Sequence, residues 1–201
     1  MARRESTAAL AFACDCGALR GHLEPQAAGS GTRVVCRCRD CRAAQLHLGQ
    51  ADPEPNGVDL LQTTPDTVTI DRGAQNLGLF RLGPRGLLRW YATCCNTPLF
   101  NTFSSPKLPF AGVLTARLAD PDRAGPVRAR GFVPKPGGTT HEHGARAVLG
   151  ILGRLLRARL SGRWRNTPFF DIESGEPVVK PEVLTRSERA ALYPAQRSTK
   201  G

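Results

Sequence analysis

Cys36-Arg37-Cys38-Arg39-Asp40-Cys41 is the stretch on which the fold and chemistry of this 201-residue sequence depend, because it places three thiols side by side. The other four of the seven cysteines form two further pairs, Cys14/Cys16 and Cys94/Cys95. An odd number of cysteines argues against complete pairing in internal disulfides. Cysteines that merely fill an apolar core would not fall into three clusters. The pattern therefore predicts that the sulfurs bind metal.

The start of the sequence does not resemble an export signal. Its apolar run at residues 8–13 is shorter than the hydrophobic region of a signal peptide, and Cys14-Asp15-Cys16 interrupts it. No stretch approaches the length of a transmembrane span. We therefore expect a protein of the reducing cytoplasm without a membrane partner. Clustered cysteines in that compartment usually bind metal or act in catalysis.

Zinc is the metal that this sulfur-rich pattern favours, because thiolates surround it as a tetrahedron with Zn–S bonds of about 2.3 Å. Sulfurs on one ion then lie less than about 4 Å apart, so each C-x-C segment must bend into a turn. Gly17, directly after Cys16, tolerates such a turn. Cys36, Cys38 and Cys41 would supply three ligands and leave the fourth position open. An open position is typical of a catalytic zinc.

The remaining four sulfurs predict a second, closed site that joins the start of the chain to its middle. Adjacent residues of an extended strand point to opposite faces, so Cys94 and Cys95 share one ion only if the backbone turns sharply between them. Cys95 is the preferred ligand, and Cys94 is either a fourth ligand or a thiol packed beside the site. Asp15 and His22 are spare ligand candidates.

Three motifs in this order are similar to those of a known family. They are Cys14-Asp15-Cys16-Gly17, the C-x-C-x-x-C of residues 36–41, and a cysteine before Thr97-Pro98-Leu99-Phe100. Together they resemble the glutathione-dependent formaldehyde-activating enzymes, which include the centromere protein V group. The resemblance covers about the first half of the chain. It implies an Mss4-like, mainly β zinc fold and a carbon–sulfur lyase activity on a glutathione-like thiol adduct.

The same resemblance implies which cysteines hold each ion. A structural zinc would lie on Cys14, Cys16 and Cys95, and a second zinc on Cys36, Cys38 and Cys41. Two departures indicate a divergent member of the family. The family's third motif resembles C-x-x-C-G, whereas this chain has Ala92 and Asn96 at its ends. The family's middle motif commonly reads C-H-C, whereas here Arg37 stands between the first two cysteines.

The rest of the sequence predicts a mainly β fold in one zinc-binding domain, residues 1–172. Short apolar segments at 33–36, 67–70, 87–91 and 111–114 lie between Gly/Pro-rich turns and indicate an antiparallel sheet. One amphipathic helix is predicted near residues 145–160, packed on the sheet. Its apolar residues recur at helical spacing: Val148, Leu149, Leu152, Leu155, Leu156 and Leu160. Residues 173–201 contain Pro177, Pro181 and Pro194 and are expected to form an extended or partly disordered arm.

The formal charge of +11 comes from 28 basic and 17 acidic residues. The basic residues are scattered along the chain, so a nucleic-acid partner is only an alternative. Arg37, Arg39 and Arg42 interleave with the middle cysteines, where they would offset thiolate charge and bind the carboxylates of a thiol such as glutathione. Alternatively, they point into solvent. His47 is either a proton shuttle, a fourth ligand or an ordinary interface residue, and His141 and His143 are expected at the surface.

The leading functional hypothesis is a zinc-dependent carbon–sulfur lyase that acts on the adduct of a thiol and a small aldehyde. The sequence contains no Walker loop, no dinucleotide-binding glycine motif and no evident Ser-His-Asp arrangement. One alternative is a non-catalytic zinc module that binds nucleic acid or protein through a basic surface. Another is a protein whose zinc is purely structural and whose substrate pocket lies elsewhere.

Overall fold

The computed structural model describes residues 8–193, which contain twelve β-strands and four α-helices. The strands are β1 (Leu10–Ala13), β2 (Arg20–Leu23), β3 (Thr32–Cys36), β4 (Val58–Thr63), β5 (Val68–Arg72), β6 (Leu77–Arg81), β7 (Leu88–Ala92), β8 (Thr97–Thr102), β9 (Ala111–Leu114), β10 (Ala129–Lys135), β11 (Gly138–Glu142) and β12 (Glu182–Val183). The helices are α1 (Pro25–Ser30), α2 (Arg39–His47), α3 (Gly144–Leu160) and α4 (Arg186–Ala191).

The described strands form two sheets, which confirms the predicted mainly β fold. One sheet has nine strands in the order β11-β10-β3-β4-β9-β8-β7-β6-β12, and the other has three in the order β1-β2-β5. Most neighbours are antiparallel, as expected. The pairs β10·β3 and β12·β6 are parallel, however, because in each case the chain returns to an edge of the sheet after a long connection. The four predicted strand segments correspond to β3, β5, β7 and β9.

The main core contains a group of aromatic side chains around the β7–β8 hairpin. Trp90 and Phe100 lie opposite each other on these strands, and both are fully buried. Phe169, from beyond α3, packs on both rings at centroid distances of 5.0 Å and 5.2 Å. Phe12 of β1 meets Phe100 edge to face at 5.1 Å. The indole N–H of Trp90 donates to Thr102 Oγ1 at 2.9 Å, so the core also satisfies its polar group.

Helix α3 occupies the predicted segment and packs on β10, β3 and β4, as expected, but its leucine-rich face is directed away from the sheet. The exposed residues of α3 include Val148, Leu149, Leu152, Leu156 and Leu160. The face toward the sheet contains Ala147, Ala158 and the buried Arg154. Arg154 donates to Thr32 Oγ1 at 2.9 Å and to the Ser30 carbonyl at 3.1 Å. Because these hydrogen bonds hold Arg154 inward, the apolar residues on the opposite side of α3 face outward.

The described part of the C-terminal segment, residues 173–193, contains β12 and α4. Strand β12 pairs with β6, and the Tyr193 hydroxyl donates to Asp40 Oδ1 on α2 at 2.6 Å. Pro194 lies outside the described residues, and the domain boundary near residue 172 stays a prediction. Within residues 8–193, no helix has the length and apolar character needed to span a membrane.

Candidate metal centres and the adjoining cavity

The first sulfur group is held by the turns of two hairpins. Strands β1 and β2 are joined by a turn in which Gly17 adopts a φ of 73°, as the sequence predicted. The turn brings Cys14 and Cys16 together, with their sulfurs 3.6 Å apart. The backbone N–H of Leu19 donates to the Cys14 sulfur at 3.3 Å. This hydrogen bond fixes the position of the Cys14 sulfur beside that of Cys16.

The second half of this group comes from the turn between β7 and β8. Asn96 in this turn has a φ of 52°, which gives the sharp bend that adjacent ligands require. The Cys94 sulfur lies 3.3 Å from that of Cys16 and 3.8 Å from that of Cys14. It also lies 3.8 Å from the Cys95 sulfur. Both cysteines of the pair therefore face the other two, and Cys94 does not pack away from the group.

Hydrogen bonds around Cys95 favour its ionised form. Burial opposes ionisation, but hydrogen bonds from Thr97 and Cys16 lower the pKa of Cys95 to about 6. The Thr97 hydroxyl lies 3.0 Å from the Cys95 sulfur and 2.9 Å from Asp15 Oδ2, so its single proton is shared between these two acceptors. Asp15 in turn pairs with Arg117. The carboxylate of Asp15 therefore supports the group from outside, through Thr97.

The middle motif forms a separate three-sulfur group where β3 ends and α2 begins. Cys36 is the last residue of β3, Cys38 caps α2, and Cys41 lies in its first turn. The Cys38 sulfur accepts a hydrogen bond from the backbone N–H of Cys41 at 3.3 Å and lies 3.3 Å from the Cys36 sulfur. The N-terminus of a helix favours negative charge. The three thiols nevertheless do not ionise independently: hydrogen bonds with Cys38 and Cys41 raise the pKa of Cys36, and although a hydrogen bond with Cys36 favours ionised Cys38, its contact with Cys41 and its burial raise the pKa of Cys38 to about 11.

One buried arginine accompanies the three-sulfur group. Arg89 Nη1 lies 3.7 Å from the Cys41 sulfur and donates to Asn101 Oδ1 at 2.9 Å. Hydrogen bonds from Cys36 and Cys38 lower the pKa of Cys41 well below its usual value, and the charge of Arg89 acts in the same direction. Arg89 therefore offsets negative charge on the sulfurs, as the sequence had suggested for other arginines.

Both groups have geometries that fit a metal ion. Within residues 8–193, the cysteine sulfurs form two sets, Cys14/Cys16/Cys94/Cys95 and Cys36/Cys38/Cys41, and the members of each set lie within 4.8 Å of one another. The sulfur–sulfur distances given above, 3.3–3.8 Å, match those of thiolates on one tetrahedral ion. The first set offers four ligand atoms, and the second offers three.

A cavity of about 630 Å³ adjoins the three-sulfur group. Cys36, Cys38 and Cys41 all contribute to its lining, together with Arg89 and Asn101. Much of the remaining wall is apolar and comes from both halves of the chain: Val34, Leu60, Leu87, Phe110, Phe132 and Ile151. Its volume is typical of small-molecule sites. The three-sulfur group therefore adjoins a space that admits a ligand, whereas Cys16 and Cys94 of the four-sulfur group are exposed at the protein surface.

The three arginines predicted to bind substrate are engaged with carboxylates or an aromatic ring. Arg42 forms a bidentate pair with Asp52 at 2.8 Å and 2.6 Å. Arg37 lies 3.6 Å from Glu54, and Arg39 lies over the ring of Tyr193. In the part of the chain that the structure describes, all three lie outside the cavity lining. Their role in substrate binding stays a prediction.

The histidine candidates have different environments. His22 pairs with Asp71 at 2.9 Å, and this hydrogen bond raises its pKa. His47 stacks on Phe80 at a centroid distance of 4.6 Å, which agrees with an interface role. His141 is exposed, as predicted, but it also lines the cavity.

Sequence reasoning missed several residues of the cavity, notably Arg89, Asn101 and Gln62. Arg89 had a recognisable signal, because it is a charged residue within the apolar segment 87–91. A charge in a predicted buried strand needs a partner, so it often marks a functional position. The cavity walls beyond residue 105 carry no comparable motif.

Comparisons with known proteins place the chain in a family. A family profile described as "Family of unknown function (DUF6151)" matches residues 6–182. The chain belongs to the DUF6151 family. The match spans both sulfur groups and all the cavity-lining residues named above. It is not a match to the formaldehyde-activating enzymes, so that resemblance rests on the cysteine motifs alone.

Among solved structures, this DUF6151 chain is similar to a crystal structure of a Rhodobacter sphaeroides protein. The two share 22% sequence identity, with a TM-score of 0.40, over 58% of this chain and 96% of that chain. A search of curated proteins finds no significant match.

Proposed function

We propose that this protein is a cytoplasmic zinc enzyme that joins a small thiol to an aldehyde, or cleaves the adduct, as a carbon–sulfur lyase does. The observation that supports this proposal is the contrast between the two sulfur groups. Four sulfurs complete a tetrahedral site at the surface, whereas three sulfurs adjoin a cavity. The first pattern is typical of structural zinc and the second of catalytic zinc, which keeps one position open.

The donor set favours zinc in both places. Thiolate ligands at tetrahedral spacing suit zinc, whereas magnesium and calcium prefer oxygen ligands. Four thiolates from two hairpins would link β1–β2 to β7–β8, and such a link contributes directly to folding. The cysteine motifs resemble those of the formaldehyde-activating enzymes, which supports the same assignment.

A zinc ion held by Cys36, Cys38 and Cys41 would act as a Lewis acid that lowers the pKa of an incoming thiol. The residues around it have separate tasks. Arg89 offsets the charge of the sulfurs, and Asn101 holds Arg89 in place through its side-chain oxygen. His141, whose side chain lines the same cavity, would take up the proton that the thiol releases.

The reaction conserves atoms and electrons without a further reagent. The thiol gives up its proton, and its sulfur forms a bond to the carbonyl carbon. The π electron pair moves to the carbonyl oxygen, which takes up a proton. The product is a hydroxyalkyl thioether, and the reverse sequence cleaves the carbon–sulfur bond. A small thiol such as glutathione is the substrate that the resemblance favours.

Cobalt substitution tests this proposal, because its absorption bands report the ligands of the metal. We expect two ions per chain, and we expect added glutathione or 2-mercaptoethanol to change the cobalt spectrum. The variant Cys38→Ser should lose one ion and the response to thiol, whereas Cys16→Ser should weaken the other site and keep the response. The proposal fails if thiols leave the spectrum of the wild-type protein unchanged, or if Cys38→Ser keeps both ions and full turnover.

A basic surface supports the alternative, a non-catalytic zinc module that binds nucleic acid. Between Glu142 and Asp171 the chain has six arginines and no acidic residue; five of the arginines are exposed, and Arg154 is buried. Such a segment attracts a polyanion, and the binding would weaken steeply as salt rises. Titration of the metal-loaded protein with DNA and RNA at two salt concentrations tests this function. Binding that survives in Cys38→Ser, with no response of the wild-type cobalt protein to thiols, would favour it over the enzyme.

A further inference from the structure

We propose that the cavity beside Cys36, Cys38 and Cys41 accepts a substrate with an uncharged aliphatic body, so that the preferred thiol or aldehyde is an alkyl compound and not a charged peptide. The inference rests on the proposed function for the chemistry at the sulfur group. Binding of the aliphatic body is a separate property, because it depends on the cavity wall and not on the metal.

The wall of the cavity offers mainly apolar contacts. Val34 and Leu60 lie on the neighbouring strands β3 and β4, and both are buried. Phe110 and Leu87 add an aromatic and an aliphatic surface, and Ile151 contributes from α3. Apolar area that a ligand removes from water in such a site is the main source of affinity.

Most charged groups of the lining are already engaged within the protein. Arg89 is held by Asn101 and the Cys41 sulfur. Asp40 accepts a hydrogen bond from the hydroxyl of Tyr193, and Arg130 lies 3.9 Å from Glu142. A peptide thiol brings two carboxylates and an ammonium group, and each of these that enters the apolar part of the cavity would lose water at a cost in binding free energy.

One buried polar atom of a lining residue has no partner in the described chain. The side-chain oxygen of Gln62 is buried and accepts no hydrogen bond from residues 8–193. Gln62 and the three sulfurs line the same cavity. An unpaired buried acceptor of this kind would gain from a donor group on a ligand.

The rim of the cavity is shaped by a β-bulge. The register between β10 and β11 shifts between Arg130 and Val133, and Phe132 within this shift has a φ of 58°. Bulges redirect side chains and are frequent beside functional sites. Here Phe132 lines the cavity and packs edge to face on His141 at 4.7 Å. This unusual backbone conformation adds an aromatic ring to the entrance.

The apolar surface continues from the cavity onto α3. Val148 lines the cavity and is still 54% exposed, so it lies at the mouth. Leu152, one turn further along α3, is 56% exposed but lies outside the lining within the described chain. The two residues therefore form a matched pair for testing whether the mouth contacts a ligand.

The first experiment titrates the cobalt-substituted, full-length protein with ethanethiol, butanethiol, hexanethiol and glutathione. We expect affinity to rise by about threefold to fourfold for each added methylene that the cavity buries. Hexanethiol should bind more tightly than glutathione. Affinity that is independent of chain length, or tighter binding of glutathione than of hexanethiol, would overturn the inference while leaving the proposed function intact.

Two further measurements separate the inference from the proposed function. Calorimetry with butanol, hexanol and octanol needs no thiol chemistry. It should show the same rise in affinity with chain length even if no thiol changes the cobalt spectrum. The variant Val148→Glu should weaken hexanethiol or hexanol by about tenfold or more, because it places a carboxylate beside the apolar ligand. Leu152→Glu should leave both affinities within about twofold. An aliphatic site would be refuted if the two variants weakened binding equally, or if the affinity for alcohols did not rise with their chain length.

Discussion

Replacing Arg89 with methionine tests whether the buried guanidinium supports the three-sulfur metal site. Methionine keeps much of the apolar stem of Arg89 but removes its charge and its hydrogen bond to Asn101. The side chain is 6% exposed and lies 3.7 Å from the Cys41 sulfur, so solvent screens the interaction only weakly. The expected result is weaker metal binding at Cys36, Cys38 and Cys41.

The size of the effect follows from two limits. A unit charge pair at about this distance contributes about 4 kcal/mol at an effective dielectric constant of about 20. This value is an upper limit, because the variant also removes the cost of burying Arg89. Changes to residues that contact metal ligands usually reduce metal affinity by about 10–100-fold. We therefore expect a loss of about 30-fold, or about 2 kcal/mol in binding free energy.

Competition with a chromophoric zinc chelator measures the affinities of the two sites in one titration, so the four-sulfur site is an internal reference. Arg42→Met is the matched control, because it removes an arginine from α2 whose guanidinium pairs with Asp52 instead of a sulfur. The zinc affinity of that variant should fall by less than about threefold, as expected for a largely exposed ion pair. The reasoning is refuted if Arg89→Met keeps its zinc affinity within twofold of the wild-type value, or if both variants lose the same amount of zinc affinity.

Three other predictions concern the four-sulfur group, the core and α3. Cys94→Ser should release one of two ions and lower the midpoint temperature of thermal unfolding, because the Cys94 sulfur lies 3.3 Å from that of Cys16. If native mass spectrometry still finds two ions and the stability is unchanged, Cys94 is not a ligand. Phe169→Ala should destabilise the metal-loaded protein by about 3–5 kcal/mol in urea, because a fully buried ring is lost, and a cost under about 1 kcal/mol would contradict the packing on Trp90. Leu152→Ser should change the free energy of unfolding by less than about 0.5 kcal/mol, and a cost above about 1.5 kcal/mol would show that this residue is covered in solution.

The sequence predicted the features that local spacing determines. Turns were required at Gly17 and between Cys94 and Cys95, and the structure has both, because sulfurs can approach one another only where the chain bends. The position of α3 was also predictable from its helical periodicity. Its orientation was not, because periodicity shows that a helix has an apolar face but not that the sheet covers this face. The hydrogen bonds of Arg154 to residues far away in sequence determine the orientation instead.

The electrostatic partner of the thiolates shows the same limit. The natural candidates were Arg37, Arg39 and Arg42, because they lie beside the cysteines in sequence. At the junction of a strand and a helix, however, the side chains of neighbouring residues point in different directions. Arg89 reaches Cys41 from β7, 48 positions along the chain, because the sheet brings β7 close to the start of α2. Contacts of this kind follow from strand order and not from motifs.

The two halves of the chain contribute different parts of the cavity. Under the proposed function, one half would supply the metal ligands and the other would determine which substrate fits. The cysteines and Arg89, which would hold and balance a metal, come from the half that carries the recognisable motifs. Phe110 from the loop before β9, Phe132 of β10 and Ile151 of α3 line the cavity, and under the proposed function they would select the ligand. A relative that keeps the cysteines but changes these elements would retain the metal and bind another class of substrate. The motif resemblance therefore supports the reaction more strongly than it supports glutathione as the thiol, because glutathione selectivity depends on walls that the motifs do not describe.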